Sequence, residues 1–455
     1  MTLPLDLFFY PRSVAIVGVP RDGTWGYRFL ESLREHNFRG ELYAVNPRAG
    51  EIGGYPSYPN LLAIPGSVDL AIVCVPPDQV AGVVADAGAK GIRAAVVFTA
   101  GFGELGTEEG RRREGELLSA ARQGGVRFVG PNCVGVLSAA AGLAPSPLIP
   151  MGEGPVAFIS QSGFLVRYFA DALYQRGLRL SKGISLGNQC DLDCVDFLEY
   201  FAQDSTIGVL AAYLEGLKDG RGLRRALAAI APQKPVVLWK AGLTGAGARA
   251  AASHTGSLTG RRDAWQALLR QTGAIPASGL EELIDLTMAL ALLPKALGDR
   301  FAIISDPGGL AVGAADACEE SGLSLATISP ETEAKLRQFM IPVGASPKNP
   351  IDIGMMSFQP LEVYREAAVV AAQDPGVDAI LVQPIVFNAR TIDLIIEAKM
   401  AIDKPFLVSP VLTDLWGPEL ARKLAEAGIP NFPSPERAMR AYAAARRYHR
   451  FRSGE

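Results

Sequence analysis

His254 stands in Ala250-Ala251-Ala252-Ser253-His254-Thr255-Gly256-Ser257, a run of small residues. The two other histidines, His36 and His449, have no such surroundings. An imidazole among Gly, Ala and Ser has little packing to do, and its ordinary pKa of ~6.5 leaves it neutral at neutral pH. If a carboxylate accepts its Nδ1 proton, Nε2 is free as a nucleophile and the cationic product is stabilised. Glu215, which closes the apolar run Val209–Leu214, is the candidate carboxylate. Glycines at 242, 245, 247, 256 and 260 give the histidine segment the freedom of a moving loop. A phosphoryl group on that ring would need anion donors. Ser160-Gln161-Ser162-Gly163 offers hydroxyls and amides at the start of an expected helix, which makes Ser160, Ser162 and Gly163 candidate phosphate ligands. Taken alone, the same turn also serves as a plain N-cap, and a lone histidine is more often structural than catalytic.

A second set of candidates follows the first apolar run. Gly18-Val19-Pro20-Arg21-Asp22-Gly23 lacks the Gly-x-Gly-x-x-Gly dinucleotide fingerprint. The next run ends in Asn46-Pro47-Arg48, with a base where a dinucleotide fold carries an acid on the ribose. A basic group there suits a phosphorylated ribose, which argues against an NAD-dependent dehydrogenase. In the last third, Ser305-Asp306-Pro307-Gly308-Gly309 forms a similar turn, but Asp306 puts a negative charge where an anion would sit, so its role reads as structural.

These turns need strands to end beside them. Short β-branched runs over 14–19, 42–45, 70–75, 94–98 and 128–129 end in Gly, Pro or Asn, with helical patterns over 79–89 and 107–123 between them. Apolar strands alternating with helices predict parallel sheets covered on both faces. This first α/β domain is assigned to 1–137, with a Pro/Gly/Ala-rich linker over 138–155. Strands over 156–159, 209–214 and 235–239 predict a second α/β domain over 156–293. Strands over 302–304, 379–382 and 405–408 predict a third over 299–455.

Bulk properties narrow the class. The 455 residues carry a formal net charge of −3, with no basic excess of the kind that marks a nucleic-acid protein. The last helix is locally basic (Arg437, Arg440, Arg446, Arg447, Arg450, Arg452) and reads as a solvated helix end. Five scattered cysteines imply no disulfide framework. Cys190 and Cys194 lack a second ligand pair, so no metal site is assigned. No secretory leader or long apolar span is legible, and the expected compartment is the cytoplasm.

In order along the chain stand Val45-Asn46-Pro47, Ala100-Gly101-Phe102, Gly130-Pro131-Asn132-Cys133, Ser160-Gln161-Ser162-Gly163, Ser185-Leu186-Gly187-Asn188, Tyr213-Leu214-Glu215-Gly216 and Ala251-Ala252-Ser253-His254-Thr255-Gly256. Together they resemble the α part of the nucleoside-diphosphate-forming acyl-CoA synthetases, the succinyl-CoA synthetase superfamily. The resemblance implies a Rossmann-like CoA-binding domain followed by two flavodoxin-like ligase domains. It implies a reversible acid–thiol ligase: acid, CoA and ATP give acyl-CoA, ADP and phosphate through an acyl phosphate and a phosphohistidine. His254 would be the phosphorylated residue and Glu215 its orienting carboxylate. Gly18, Val19, Pro20, Arg21, Arg48, Val75, Pro76, Thr99 and Ala100 fall where the family holds coenzyme A.

No segment of the chain reads as an ATP-grasp domain, so ATP/ADP and Mg2+ are expected on an ATP-grasp β subunit, in an αβ or α2β2 assembly. Three departures from the family pattern stand out. Pro20 removes a backbone donor from the CoA turn. Asp306 replaces the usual Asn before Gly-Gly. Arg167 follows the Ser-x-Ser-Gly motif where succinyl-CoA synthetase has a tyrosine, and favours a carboxylate-bearing acyl group. Pro20 and Asp306 leave open a catalytically incomplete CoA-binding or regulatory paralogue, or a related acyl- or carbamoyl-transfer protein on the same scaffold.

Overall fold

The computed structural model describes the chain except residues 1–4, 20–24, 49, 256–259, 295–296, 307, 343, 355–358, 387, 412–416 and 455, and the side chains of 252–255. Pro20 and Arg21 therefore lie outside the described residues. For His254 the backbone alone is described. Three α/β sheets follow one another along the chain.

In the first sheet, the strands Tyr55–Tyr58, Glu41–Val45, Ser13–Val17, Leu70–Val73, Ala94–Val97 and Arg127–Val129 lie side by side and parallel. Glu51–Ile52 is added antiparallel at one edge. Ser13–Val17 is buried at every position, as a central parallel strand covered on both faces must be. The expected helices form as Val80–Lys90 and Glu108–Gly124. Thr107 caps the second by accepting from the Gly110 amide.

The second sheet runs Ile275–Ala277, Val236–Lys240, Val209–Leu214, Val156–Ser160, Leu180–Ser185 and Gly135–Ser138. The last is antiparallel to Leu180–Ser185. It extends past the boundary expected at residue 137 and hands the chain from the first sheet to the second. The two sheets form one compact unit of residues 1–171 and 179–278. Phe8 and Phe9 pack edge-on against Phe197, with centroids 6.2 and 6.1 Å apart, so one apolar core serves both sheets.

The other unit, residues 172–178 and 279–455, holds the third sheet: Ser324–Leu325, Arg300–Ser305, Ala379–Gln383 and Phe406–Val408, with Ile351–Asp352 also paired to Arg300–Ser305. The basic last helix, Pro435–Ser453, differs from a uniformly solvated end. Arg437 Nε donates to Asp285 Oδ2 at 2.6 Å, and Arg446 reaches Asp299 at 3.0 Å. Asp285, 4% exposed, also takes a hydrogen bond from Arg176, 8% exposed, whose guanidinium further donates to the Asn431 carbonyl. One carboxylate thus serves two guanidinium groups, and removing it leaves Arg176 only the Asn431 carbonyl and Arg437 only Glu281. Asp285→Ala is expected to cost about 3–5 kcal/mol of stability, read by chemical denaturation. A loss under about 1 kcal/mol would mean that solvent already supports the pair.

Candidate functional site

The carboxyl ends of the first sheet collect the candidate CoA residues. Gly18 follows Ser13–Val17 with φ +89°, a conformation that favours glycine. A Cβ there would stand 2.8 Å from the Cys74 carbonyl oxygen. The Gly18 amide donates to Val45 O at 3.1 Å, and Asn46 Nδ2 donates to Val19 O at 2.6 Å. The Asn46 side chain also accepts from the Arg48 amide at 2.8 Å. Thr99 Oγ1 donates to Val75 O at 2.6 Å, which joins the next two strand ends. Gly18, Val19, Arg48, Val75, Pro76, Thr99 and Ala100 are thereby gathered on one edge. That edge lies beside the topological switch at Ser13–Val17, where ligands of open parallel sheets bind.

The second sheet has its own switch at Val156–Ser160, flanked by Leu180–Ser185 and Val209–Leu214. Ser160, fully buried, donates from Oγ to Ser162 O at 2.7 Å and accepts from the Ser162 amide at 3.1 Å, which curls the turn. The helix Gly163–Gln175 begins there. A Cβ on Gly163 would lie 2.8 Å from Val134 Cγ1. Arg167, one turn on, lies 3.5 Å from Asp171 on the same helix.

Glu215 closes the neighbouring strand and is 4% exposed. Its Oε1 accepts from the Tyr213 hydroxyl at 3.0 Å. Residues i and i+2 of a strand share a face, so the pairing follows from Tyr213-Leu214-Glu215. Gln161 Oε1 accepts from the Glu215 amide and, at 2.9 Å, from the Gly216 amide. Gln161 and Tyr213 thus join the candidate site beyond the residues that the sequence indicates; the i+2 spacing is the available signal for Tyr213. Lys240, 6% exposed, is likewise not indicated by the sequence. It closes the next strand, Val236–Lys240, and donates to the Glu215 carbonyl at 2.7 Å.

The histidine segment is expected as a loop, but in the structure its backbone is helical over Gly245–Thr255. Ala-rich composition explains this, since alanine has the highest helix propensity. Glycines with left-handed φ stand on either side, Gly242 (+76°) and Gly260 (+77°). The helix runs against the Gly103–Leu105 turn of the first sheet. It therefore lies close to the Ala100-Gly101-Phe102 loop.

Other motifs join the two strand-end edges. Glu104 accepts from the Gly101 amide at 2.6 Å and from Asn188 Nδ2 at 2.5 Å. The Asn188 amide donates to Pro131 O at 3.0 Å, and a Cβ on Gly187 would lie 2.2 Å from that same oxygen. Gly130–Cys133 and Ser185–Asn188 thus interlock, which fixes the first-sheet edge beside the second-sheet edge.

Comparison with known proteins agrees with this layout. Residues 12–139 match a CoA binding domain, 153–290 a succinyl-CoA ligase like flavodoxin domain, and 301–454 a Ligase-CoA domain. The chain is 39% identical to acetate–CoA ligase [ADP-forming] I of Archaeoglobus fulgidus over 99% of its own length, and spans 64% of that protein. It is 38% identical to the subunit alpha of acetate–CoA ligase [ADP-forming] II of Pyrococcus furiosus, covering 95% of both. A solved dinucleotide forming acetyl-coenzyme A synthetase 1 of Ca. Korarchaeum cryptofilum, in complex with phosphate and ADP, superposes with TM-score 0.86 at 36% identity, covering 99% of this chain and 98% of that one. By these matches, over nearly its whole length, the chain belongs to the family of ADP-forming acyl-CoA synthetases.

Proposed function

We propose that this chain is the α component of a reversible acid–thiol ligase, acid + CoA + ATP = acyl-CoA + ADP + phosphate, working through an acyl phosphate and a phosphohistidine at His254. The observation that carries the proposal is Glu215. It is a buried carboxylate at the switch of the second sheet, one strand from the Ser160–Gly163 turn and bonded through its amide to that turn's Gln161.

In the acyl-CoA-consuming direction, a phosphate oxygen attacks the thioester carbonyl and CoA leaves as thiolate, giving acyl phosphate. Nε2 of His254 then attacks phosphorus, and the P–O bond to the acyl group breaks to release carboxylate. Glu215 accepts the Nδ1 proton in a hydrogen bond and balances the positive charge that develops on the ring. At the helix start the Ser162 hydroxyl and the Gly163 amide are offered to the phosphoryl oxygens, while Ser160, expected as a ligand, is buried and its hydroxyl instead shapes the turn through Ser162. The phosphoryl group passes last to a β-phosphate oxygen of ADP.

The nucleotide and Mg2+ are assigned to an ATP-grasp β partner in an αβ or α2β2 assembly. The name "subunit alpha" on the Pyrococcus relative supports such a partner. Gly242 and Gly260, both left-handed, are suited to let the intervening helix leave one pocket for the other. CoA is assigned to the first-sheet edge, where Arg48 suits a phosphorylated ribose. Pro20 and Arg21 are assigned to the same site.

An alternative, a CoA-binding paralogue without turnover, draws on Asp306. This residue is 4% exposed, and burial together with Asp352 pushes its carboxyl up to about 6.

Incubation with acetyl-CoA and radiolabelled phosphate is expected to leave acid-labile, base-stable phosphate on the chain, and His254→Ala is expected to abolish it. An unlabelled wild-type chain that still binds CoA would favour the paralogue. Thermal unfolding with CoA and with NAD tests the first sheet. CoA at 100-fold over its Kd should stabilise by about 2.7 kcal/mol, and NAD by nothing. Gly18→Ala, with its Cβ against the Cys74 carbonyl, should remove the CoA shift.

A further inference from the structure

Lys240 is a buried cation to which the relay described above gives no task. Its Nζ donates to the Glu215 carbonyl at 2.7 Å and to the Ala241 carbonyl. The same atom lies 5.2 Å from the centroid of the Trp265 ring, on the helix Arg262–Thr272. Ala241 is the first residue after the strand, at the root of the segment that carries His254, and its amide donates to Leu214 O at 2.9 Å. Trp265 stands just beyond Gly260, where that segment ends. One ammonium therefore touches the Glu215 strand end and both feet of the His254 segment.

We propose that Lys240 is a positioning residue of the phosphoryl relay, holding Glu215 and the two ends of the His254 segment in register through one cationic donor. The inference rests on the relay reading and adds to it a residue that touches no substrate. A neutral side chain of the same length would fill the space but leave two strand-end carbonyls without their donor. A guanidinium would keep both the charge and the donors.

The cost of keeping this group points the same way. Burial pushes the Lys240 ammonium down to about 8, against the opposing pull of Glu215. An unfolded lysine titrates at ~10.4. Below about pH 8 the fold carries the full cost of a buried ammonium, and the cost is relieved as pH rises toward ~10.4. A group kept buried and charged at that cost is explained by the two carbonyls and the ring that it holds.

The test compares wild type, K240M, K240R and H254A by the rate of histidine labelling from acetyl-CoA and radiolabelled phosphate, with thermal unfolding of each. K240M is expected to slow labelling about 10- to 100-fold, the cost of a small misplacement of reacting groups. Its unfolding midpoint should stay within about 3 °C of wild type. K240R is expected to recover most of the rate. Label lost in H254A but formed at full rate in K240M overturns the inference alone. Label retained in H254A overturns the relay reading and the inference with it. Should K240M unfold early, K240R decides: a well-folded K240R that labels no faster than K240M overturns the cationic role.

Discussion

Parallel strands that end on one edge leave their last amides and carbonyls facing the same way, and something must satisfy them without blocking the crevice. Gln161 is the answer at the second sheet. Its single side-chain oxygen accepts the Glu215 and Gly216 amides, and so ties the turn after one strand to the end of the next. The Glu215 carboxylate is then held by Tyr213 from its own strand. Because these bonds fix backbone as well as side chain, the carboxylate and the Ser160–Gly163 turn cannot shift independently. A buried carboxylate held this way has its orientation fixed in advance, and preorganisation of that kind is where enzymes gain most electrostatically.

The same logic joins the two strand-end edges. Glu104 bridges Ala100-Gly101-Phe102 to Asn188, and Gly187 lets a backbone pass against the Pro131 carbonyl where any Cβ would collide. Motifs that read as loop chemistry are, in large part, joinery. They bring the strand-end edge of the first sheet against that of the second, and the helix Gly245–Thr255 packs on the Gly103–Leu105 turn.

Much of this was legible in the chain. Strand positions followed from β-branched runs closed by Gly, Pro or Asn, and 209–214 was matched at both ends. Glu215 could be read as a strand-end carboxylate because the run before it is so plainly apolar. Glycines on both sides of Gly245–Thr255 mask the Ala-rich helical propensity between them, so the sequence reads as a loop where the structure has a helix. Arg437 looked like surface charge, since its partner Asp285 lies in an apolar-looking helix 152 residues away and no local pattern announces the pair. Lys240 and Gln161 escaped for a related reason. Their partners are backbone atoms on neighbouring strands, and register is not written in composition.

The strand Gly135–Ser138 belongs by chain position to the end of the first domain, yet by hydrogen bonding it is the margin of the second sheet. A chain cut after it would deprive Leu180–Ser185 of its cover along residues 182–185 and leave a row of open amides and carbonyls to recruit any extended peptide nearby. Exchange of the first domain for another ahead of the second sheet is therefore constrained. Whatever precedes the second sheet must supply a ribbon to close that margin.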